Sequence, residues 1–427
     1  MASSVVFTHD VEETHRAMVW LLRNARKAVV YSVYICDLDN TFTGFDGLTL
    51  GALLHETCAR GVHVTMLYNP STSYGNLPLN LFRKKLPKRN FTLHTCEGSG
   101  SIFPMFKYLN AHSTFSYHHQ KFLASDAHKG WALVTGSDFD TDRKPWLQMN
   151  SNNYFWHEFG VLTPLTVRMR KFLYKQVNRI RSPCLPFVNG EREHSLWRYL
   201  IRKARSYLHI EHQMIISTDT THNKVAYELV HRIARAVREG DQDFRVIMLV
   251  NYMHPDEGNL FNTYLRMCLM WSKKRMERLA EKMGIQDSLY DHLRLGYLQH
   301  EDVAIKIHSN VLIQDGEKCL RSSSNLSDRS LSKRPADTEL GIVVTDARSI
   351  ARLQQNLWNK YLNTSGVQYT AVQVGDALRK QEGCLRDGNV AQIEIDVMSM
   401  PFLLQFLNEN KVFGGKEHIY WKVKKVQ

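Results

Sequence analysis

The chain is poor in the residues that mark special classes of protein. Gly 23 and Pro 11 in 427 residues are too few for a collagen-like or low-complexity chain. No stretch approaches the run of about 18 apolar residues that a membrane-spanning helix needs. The longest apolar runs, 28–36 and 246–252, are of strand length. The opening stretch MASSVVFTHDVEETHR lacks the basic-then-apolar order of a signal peptide. Cysteine is scattered singly at 36, 58, 96, 184, 268, 319 and 384, with no paired metal-ligand spacing. An odd, dispersed set suits thiols in a reducing compartment and argues against a disulfide framework or a zinc site. The expectation is a cytoplasmic chain whose contact with membranes is peripheral, with no metal or cofactor.

Positive charge is what the chain has in excess. Lys+Arg 55 against Asp+Glu 42 leaves a net +13. That surplus suits an anionic partner: nucleic acid, an anionic membrane surface or a phosphorylated substrate. It says nothing about fold. The run LFRKKLPKRN at 81–90 concentrates Arg83, Lys84, Lys85, Lys88 and Arg89. It reads either as a solvated loop or as a docking patch, worth about 1 kcal/mol per cation near anionic lipid. The segment 99–110, SGSIFPMFKYLN, is aromatic enough either to touch a bilayer or to cover a site. At 43% hydrophobic and 11% aromatic the chain has ample material for a core.

One block of sequence is written twice. Residues 17–34 read as a helix followed by a β-branched strand, and 196–215 repeat that shape, with RNARK answered by RKARS. A second helix and strand at 51–69 finds its counterpart at 225–251. EFGVLT at 158–163 matches ELGIVV at 339–344, and a basic amphipathic helix follows each, at 167–180 and 347–362. Helix and strand alternating twice in each half predict βαβ crossovers and a largely parallel sheet. The expected fold class is α/β, built as two similar α-β-α halves by internal duplication. The halves are 1–182 and 190–365, joined by the turn-rich RSPCLPFVNG. A long polar helical insert spans 260–297, and 366–427 forms a C-terminal extension.

The chemistry sits at matching places in the two copies. HHQKFLASD supplies His119, Lys121 and Asp126 as H-x-K-x4-D; HSNVLIQD supplies His308, Asn310 and Asp315 at the same spacing, 189 residues on. One such match is weak, but the second falls where the repeat predicts it. On a strand, residues i and i+2 share a face, so His119 would project with Lys121, and His308 with Asn310. His118 would face the other way. Asp126 and Asp315, an odd step from their histidines, read as structural supports within the motif. Downstream, Asp138 in Gly-Ser-Asp aligns with Asn325 in Ser-Ser-Asn, and together with Ser323 they are candidate phosphate-binding residues. Glu158 and Glu339 offer one carboxylate per copy. A carboxylate on one imidazole nitrogen fixes the tautomer and frees the other nitrogen to react.

These segments resemble the phospholipase D superfamily, and within it the eukaryotic-type phospholipases D. HHQKFLASD resembles the family's first catalytic motif, VTGSDFDTDR the glycine-rich segment after it, and IEHQMIIS the tract opening the second half. SSSNLSDRSLSKRPADTELGIVV resembles the segment that follows the second motif. The likeness runs over residues 12–360 in the right order. It implies a pseudo-dimer around one shared active site. One histidine attacks phosphorus to form a phosphohistidine, the other protonates the leaving alcohol, and water or another alcohol resolves the intermediate without a metal. His119, in the intact motif, would be the nucleophile and His308 the general acid.

Two departures stand out: Asn310 where the family has lysine, and Ser322 where it has glycine. Losing a cation aimed at the phosphoryl oxygens costs roughly 10²–10³ in rate. Lys306, two residues before His308, is a candidate substitute, and Asn310→Lys is expected to raise turnover of an attenuated enzyme. The first reading is therefore hydrolysis or transfer of phospholipid headgroups. The rivals are a nuclease of the same superfamily, which the charge suits equally, and a catalytically weak lipid-binding or assembly protein, which Asn310 suggests. Oligomeric state is not legible.

Overall fold

The computed structural model describes residues 5–69, 79–95, 118–140, 143–145, 148, 155–167, 170, 190–217, 221–251, 260–300, 303–332, 337, 339–380 and 390–392. The segment 99–110, nearly all of the helix expected at 167–180, the joint at 181–189 and the chain beyond 392 lie outside the described residues.

Two mixed sheets organise the chain. The first is built from β1 (Val6–Phe7), β2 (Ala28–Val33), β3 (His63–Tyr68), β4 (Phe91–Thr95), β5 (Phe122–Ser125), β6 (Trp131–Thr135) and β8 (Gly160–Pro164). Its order is β1-β8-β6-β5-β2-β3-β4. The second uses β9 (Tyr207–His212), β10 (Arg245–Val250), β11 (Leu293–His300), β12 (Val303–Ile307), β13 (Val311–Gln314), β14 (Lys318–Ser322) and β15 (Gly341–Val344). It runs β15-β14-β13-β9-β10-β11-β12 and closes on β7 (Phe155–His157), which comes from the first stretch of sequence. From β8 to β4 and from β15 to β11 the two successions correspond strand for strand.

The sheets are mixed, which corrects the expectation of a largely parallel one. β2, β3 and β4 are parallel, as are β9, β10 and β11, because helical crossovers join them. β5–β6 and β13–β14 are hairpins closed by tight turns, so these strands must run antiparallel. The turn residues Gly130 (φ 101°) and Gly316 (φ 67°) supply the positive φ those reversals need.

The helices lie where the apolar periodicity places them. α1 (Val11–Asn24) and α2 (Leu50–Ala59) cross over in the first half, followed by the short α3 (Leu79–Lys84). α4 (Gly190–Lys203) and α5 (Val225–Glu239) are their second-half counterparts. Asp10 caps α1 by accepting from Glu13 N at 2.8 Å, and Thr49 caps α2 from Ala52 N at 3.1 Å. The polar insert is α6 (Leu260–Lys282) and the one-turn α7 (Leu289–His292); its last part is strand β11. α8 (Ala347–Tyr361) fulfils the amphipathic helix expected there, and α9 (Ala371–Lys380) follows it.

Each half has its own core, one around Leu21, Val64 and Phe82 and the other around Trp197, Val230 and Met248. A third apolar cluster joins Phe159 and Val161 of the first half to Ile305, Val311 and Ile313 of the second. A fourth brings Val134 together with Leu340 and Ile342. Buried apolar surface therefore holds the halves face to face, and what stands at the ends of the facing strands is brought to one place.

Candidate active site

Both motif histidines stand just before a strand and not within one. His119 and Lys121 precede β5; His308 and Asn310 precede β13. The shared-face argument is thereby corrected. Asn310 takes a left-handed φ of 42°, which asparagine tolerates better than most residues. Lys121 nonetheless stays beside His119, donating from Nζ to its carbonyl at 3.2 Å. His118 turns away, as expected, and its Nε2 lies 2.7 Å from Ser32 Oγ.

The carboxylates are exchanged between the halves. His119 Nδ1 lies 3.0 Å from Glu339 Oε2, and His308 Nδ1 lies 3.3 Å from Glu158 Oε1. Each imidazole comes from one copy of the motif and its orienting carboxylate from the other. Nδ1 is occupied in both cases, which leaves Nε2 for chemistry. Lys121 feels both carboxylates as well as Asp138, and His308 in turn feels Lys121, so the two dyads share one electrostatic site.

The shells of the two carboxylates differ. Glu339 accepts from Ser323 Oγ at 2.5 Å and Ser330 Oγ at 2.6 Å. Glu158 accepts from Trp156 Nε1 at 3.0 Å and Arg321 Nη2 at 3.3 Å. Burial by itself would raise both carboxyls. At Glu158 the charges of His308, Arg321 and Arg143 overcome it and hold the group at about 2. At Glu339 the interaction with His119, then Lys121 and Ser323, holds it below the usual carboxylate range. Burial pulls His308 down to about 4 despite Glu158, helped by Arg143 and Lys121. It also lowers Lys121, against the pull of Asp138, Glu339 and Glu158.

The remaining expected site residues divide. Asp126 accepts from the backbone N–H of Arg26 and Lys27 at 2.8 and 2.9 Å; Asp315 does the same for Arg205, Ser206 and Tyr207. They sit past the far ends of β5 and β13, about 13 Å of strand from the histidines. Both anchor backbone away from the histidines, although the odd step by which they read as supports assumed a strand starting at each histidine, which does not hold. Asp138 accepts from Tyr34 N and Ile35 N and lies 3.8 Å from Lys121 and 3.7 Å from Arg143. Its charge aligns those cations and is ill suited to receiving a phosphate itself. Ser323 serves Glu339, while Asn325 keeps a buried Oδ1 with no hydrogen bond among the described residues. Lys306 lies 5.1 Å from the centre of the Trp156 ring, with the Arg143 guanidinium 3.6 Å from the same ring. Among the described residues no group of three or more His, Cys, Asp or Glu is placed to hold a metal ion.

Four site residues escaped the sequence reading: Arg321, Arg143, Trp156 and Tyr34, whose ring meets that of His119 at 4.9 Å. Arg321 carried a signal. Aligning the repeat puts it opposite Val134, a cation against an apolar residue in a central strand.

The chain is similar in sequence to named phospholipases D. Phospholipase D2 of Bos taurus is 30% identical over 234 residues, covering 49% of this chain and 24% of that protein. Phospholipase D zeta 1 of Arabidopsis thaliana is 27% identical over 233 residues, covering 49% and 20%. The matched stretch thus spans about a quarter or less of these relatives' own length. No protein-family model matches the sequence. Phosphatidylserine synthase of Haemophilus influenzae, 14% identical, superposes over 96% of this chain and 94% of its own with a TM-score of 0.58. At that identity the likeness concerns fold, a two-lobed α/β pseudo-dimer. In sequence the chain is similar to phospholipases D over about half its length. Its matched relatives are eukaryotic phospholipases D, animal and plant.

Proposed function

We propose that the chain is a phospholipase D-type phosphodiesterase that hydrolyses or exchanges the headgroup of a phospholipid. The observation that carries this reading is the crossed pairing of His119 with Glu339 and His308 with Glu158 around Lys121. Two imidazoles with Nδ1 anchored and Nε2 available are what a two-step displacement requires. In this reading His119 Nε2 attacks phosphorus. The P–O bond to the headgroup breaks, a P–N bond forms, and His308, reacting as the imidazolium that Glu158 supports, gives its Nε2 proton to the departing oxygen. Water or an acceptor alcohol then attacks, His308 takes back a proton, and the P–N bond breaks. Lys121 faces the charge that accumulates on the phosphoryl oxygens. Residues 1–182 and 190–365 act as the two lobes, apart from β7, which completes the second sheet, and 366–427 is an extension of the second lobe.

The surface of a membrane is the proposed place of work. Arg83, Lys84, Lys85, Lys88 and Arg89 are all exposed, while Phe82 and Leu86 anchor their segment in the core. No helix among the described residues is long and apolar enough to cross a membrane. The test pairs turnover of a fluorescent phosphatidylcholine with turnover of single-stranded DNA, on vesicles with and without anionic lipid. Headgroup release is expected, together with binding that strengthens with anionic lipid and weakens with salt. Cleavage of DNA alone would transfer the chain to the nucleases, and turnover of neither would leave a lipid-binding protein. Equal binding to neutral and anionic vesicles would remove the role of the basic run.

A further inference from the structure

The two halves share one backbone hydrogen bond at the third position of the motif. Lys121 O accepts from Thr135 N at 3.2 Å, and Asn310 O accepts from Ser322 N at 3.1 Å. The residue before each donor pairs across the hairpin with the residue after each motif position, Val134 with Phe122 and Arg321 with Val311. In this register the halves differ by a linked exchange. One has lysine at the motif and valine on the neighbouring strand; the other has asparagine and arginine.

A guanidinium buried to 0% exposure, as Arg321 is, would be costly unless its donors were engaged. They are. Nε donates to Phe159 O at 3.1 Å, Nη1 to Ser322 O and to Asn310 O at 3.5 Å, and Nη2 to Glu158 Oε1 at 3.3 Å. That same Oε1 faces His308 Nδ1. Room for the guanidinium comes from Gly136, where a Cβ would stand 2.4 Å from Nη2, 2.6 Å from Glu158 Oε1 and 2.9 Å from His308 O. The first half's glycine thus makes space for the second half's arginine.

We infer that Arg321 is the displaced cation of the second half: a positioning residue that acts through Glu158 on His308, in place of the lysine absent at 310. This deepens the phosphodiesterase reading and rests on it. Arg321 and His308 share one carboxylate oxygen, so the guanidinium takes part of the negative charge that would otherwise support the imidazolium. Besides Glu158, the groups facing His308 are Arg143 and Lys121 from the first half, the Trp156 ring, and His212 on β9. The sequence expectation for Asn310→Lys is reversed. Asn310 is fully buried, its Oδ1 accepts from Gln213 N at 3.0 Å, and its carbonyl already receives Arg321. An ammonium added there meets a like charge and loses that hydrogen bond. With Arg321→Val beside it, the same substitution restores the charge placement of the first half, at a left-handed φ of 42° that lysine adopts less readily than asparagine.

The test uses the full chain with Arg321→Val, Arg321→Lys, Asn310→Lys and the double variant Asn310→Lys/Arg321→Val. Two readouts are taken: kcat and KM on fluorescent phosphatidylcholine vesicles, and the NMR titration of His308, assigned with His308→Gln. Arg321→Val is expected to lower kcat about 100-fold with KM little changed. Arg321→Lys should stay within about tenfold of wild type, since it keeps the charge and loses the fork. Asn310→Lys alone should be slower than wild type, and the double variant at least about tenfold faster than Arg321→Val. His308 should titrate higher in Arg321→Val, where it no longer shares Glu158 Oε1 with the guanidinium. A folded Arg321→Val with unchanged kcat and His308 titration would overturn the inference. So would a double variant that gains nothing, or that fails to fold, since equivalence of the two positions is the claim. Should the wild type turn over no phosphatidylcholine, the functional reading fails, and the His308 titration still decides the part played by Arg321.

Discussion

In the first half of the molecule the cation stands next to the histidine, and neutral hydroxyls hold the carboxylate that orients it. In the second half the motif carries an amide, and the carboxylate is held by a guanidinium and an indole N–H. The two sites share their backbone anchors, since Asp126 and Asp315 accept from corresponding N–H groups and Lys121 O and Asn310 O each receive the amide of the neighbouring strand. Asn310 and Asp315, however, take a left-handed φ that Lys121 and Asp126 do not. Corresponding positions therefore carry charge differently in the two halves. The two imidazoles have different surroundings, which suits the proposed reaction with one nucleophile and one acid.

The sharpest way to break this comparison is to remove one histidine at a time. Under the proposed roles, His119→Ala lowers kcat by about 10⁴-fold or more, because no P–N bond can form. His308→Ala loses less with a substrate whose leaving group needs no proton, such as a p-nitrophenyl phosphodiester, and lets phosphoenzyme accumulate on His119. Peptide mass spectrometry locates the phosphate. Finding it on His308 in the His119 variant would exchange the two roles.

Lys121→Met is the next largest effect, about 10²–10³ in kcat with a thermal midpoint close to wild type. Lys121 is buried and feels the charge of both Glu339 and Glu158, so it serves the shared site and not its own half alone. Steady-state kinetics and a melting curve on the same preparation check this. A variant with normal kcat would leave the first half's cation without a function and the comparison without its basis.

Gly136→Ala probes the contact between halves. The added methyl carbon cannot coexist with Arg321, Glu158 and the His308 carbonyl where they stand. Overpacking of this kind costs about 1–3 kcal/mol, and displacement of Glu158 should lower kcat roughly tenfold. Ser323, and not Ser322 as the sequence suggested, occupies the matching place in the second half, since Ser322 N corresponds to Thr135 N; it already carries a Cβ, with its hydroxyl on Glu339. Ser323→Ala should therefore lose one hydrogen bond without a clash. Chemical denaturation of the two variants separates crowding from a lost donor.

Much of this was legible along the chain, and the part that was not has a physical reason. α1 with β2, and α4 with β9, follow from amphipathic periodicity and β-branched runs, which are local properties. The two motifs announced themselves by spacing and repetition. The antiparallel half of each sheet did not, because which strands pair depends on turns and on distant partners. Glu158 and Glu339 were recognisable as a matched pair, but linear offsets assign each to its own copy, and only the packing of the halves crosses them over. Arg321 was hidden in KCLRS, where two cations in a short strand both read as solvent-facing; its meaning came from Val134 opposite and from the space at Gly136.

The smallest expected effect concerns proton binding, and it compares the halves on equal terms. Burial lowers His15 to about 4 and His118 to about 3 in the first half, and His212 to about 3 and His308 to about 4 in the second. Nearby cations add to burial in each case: Lys144, Lys121, Arg321 and Arg143. An unfolded chain would protonate these imidazoles at about 6.5, whereas the folded chain resists until about 3 to 4. Between those values the unfolded state holds more protons, so stability rises with pH and is lost as pH falls through that window. The low carboxyls of Glu158 and Glu339 act in the same direction but lower, since their contribution is present above about 4.5 and fades only as they protonate. Each buried imidazole adds at most about 1.4 kcal/mol per pH unit to the slope. Thermal midpoints recorded from pH 7 to pH 4.5 should therefore decline before the carboxylates begin to titrate. His118→Gln and His212→Gln should flatten that decline by similar amounts, one from each half. A midpoint constant across the window would mean that the imidazoles are hydrated or charged in the folded chain, and the burial on which both sites depend would have to be reconsidered.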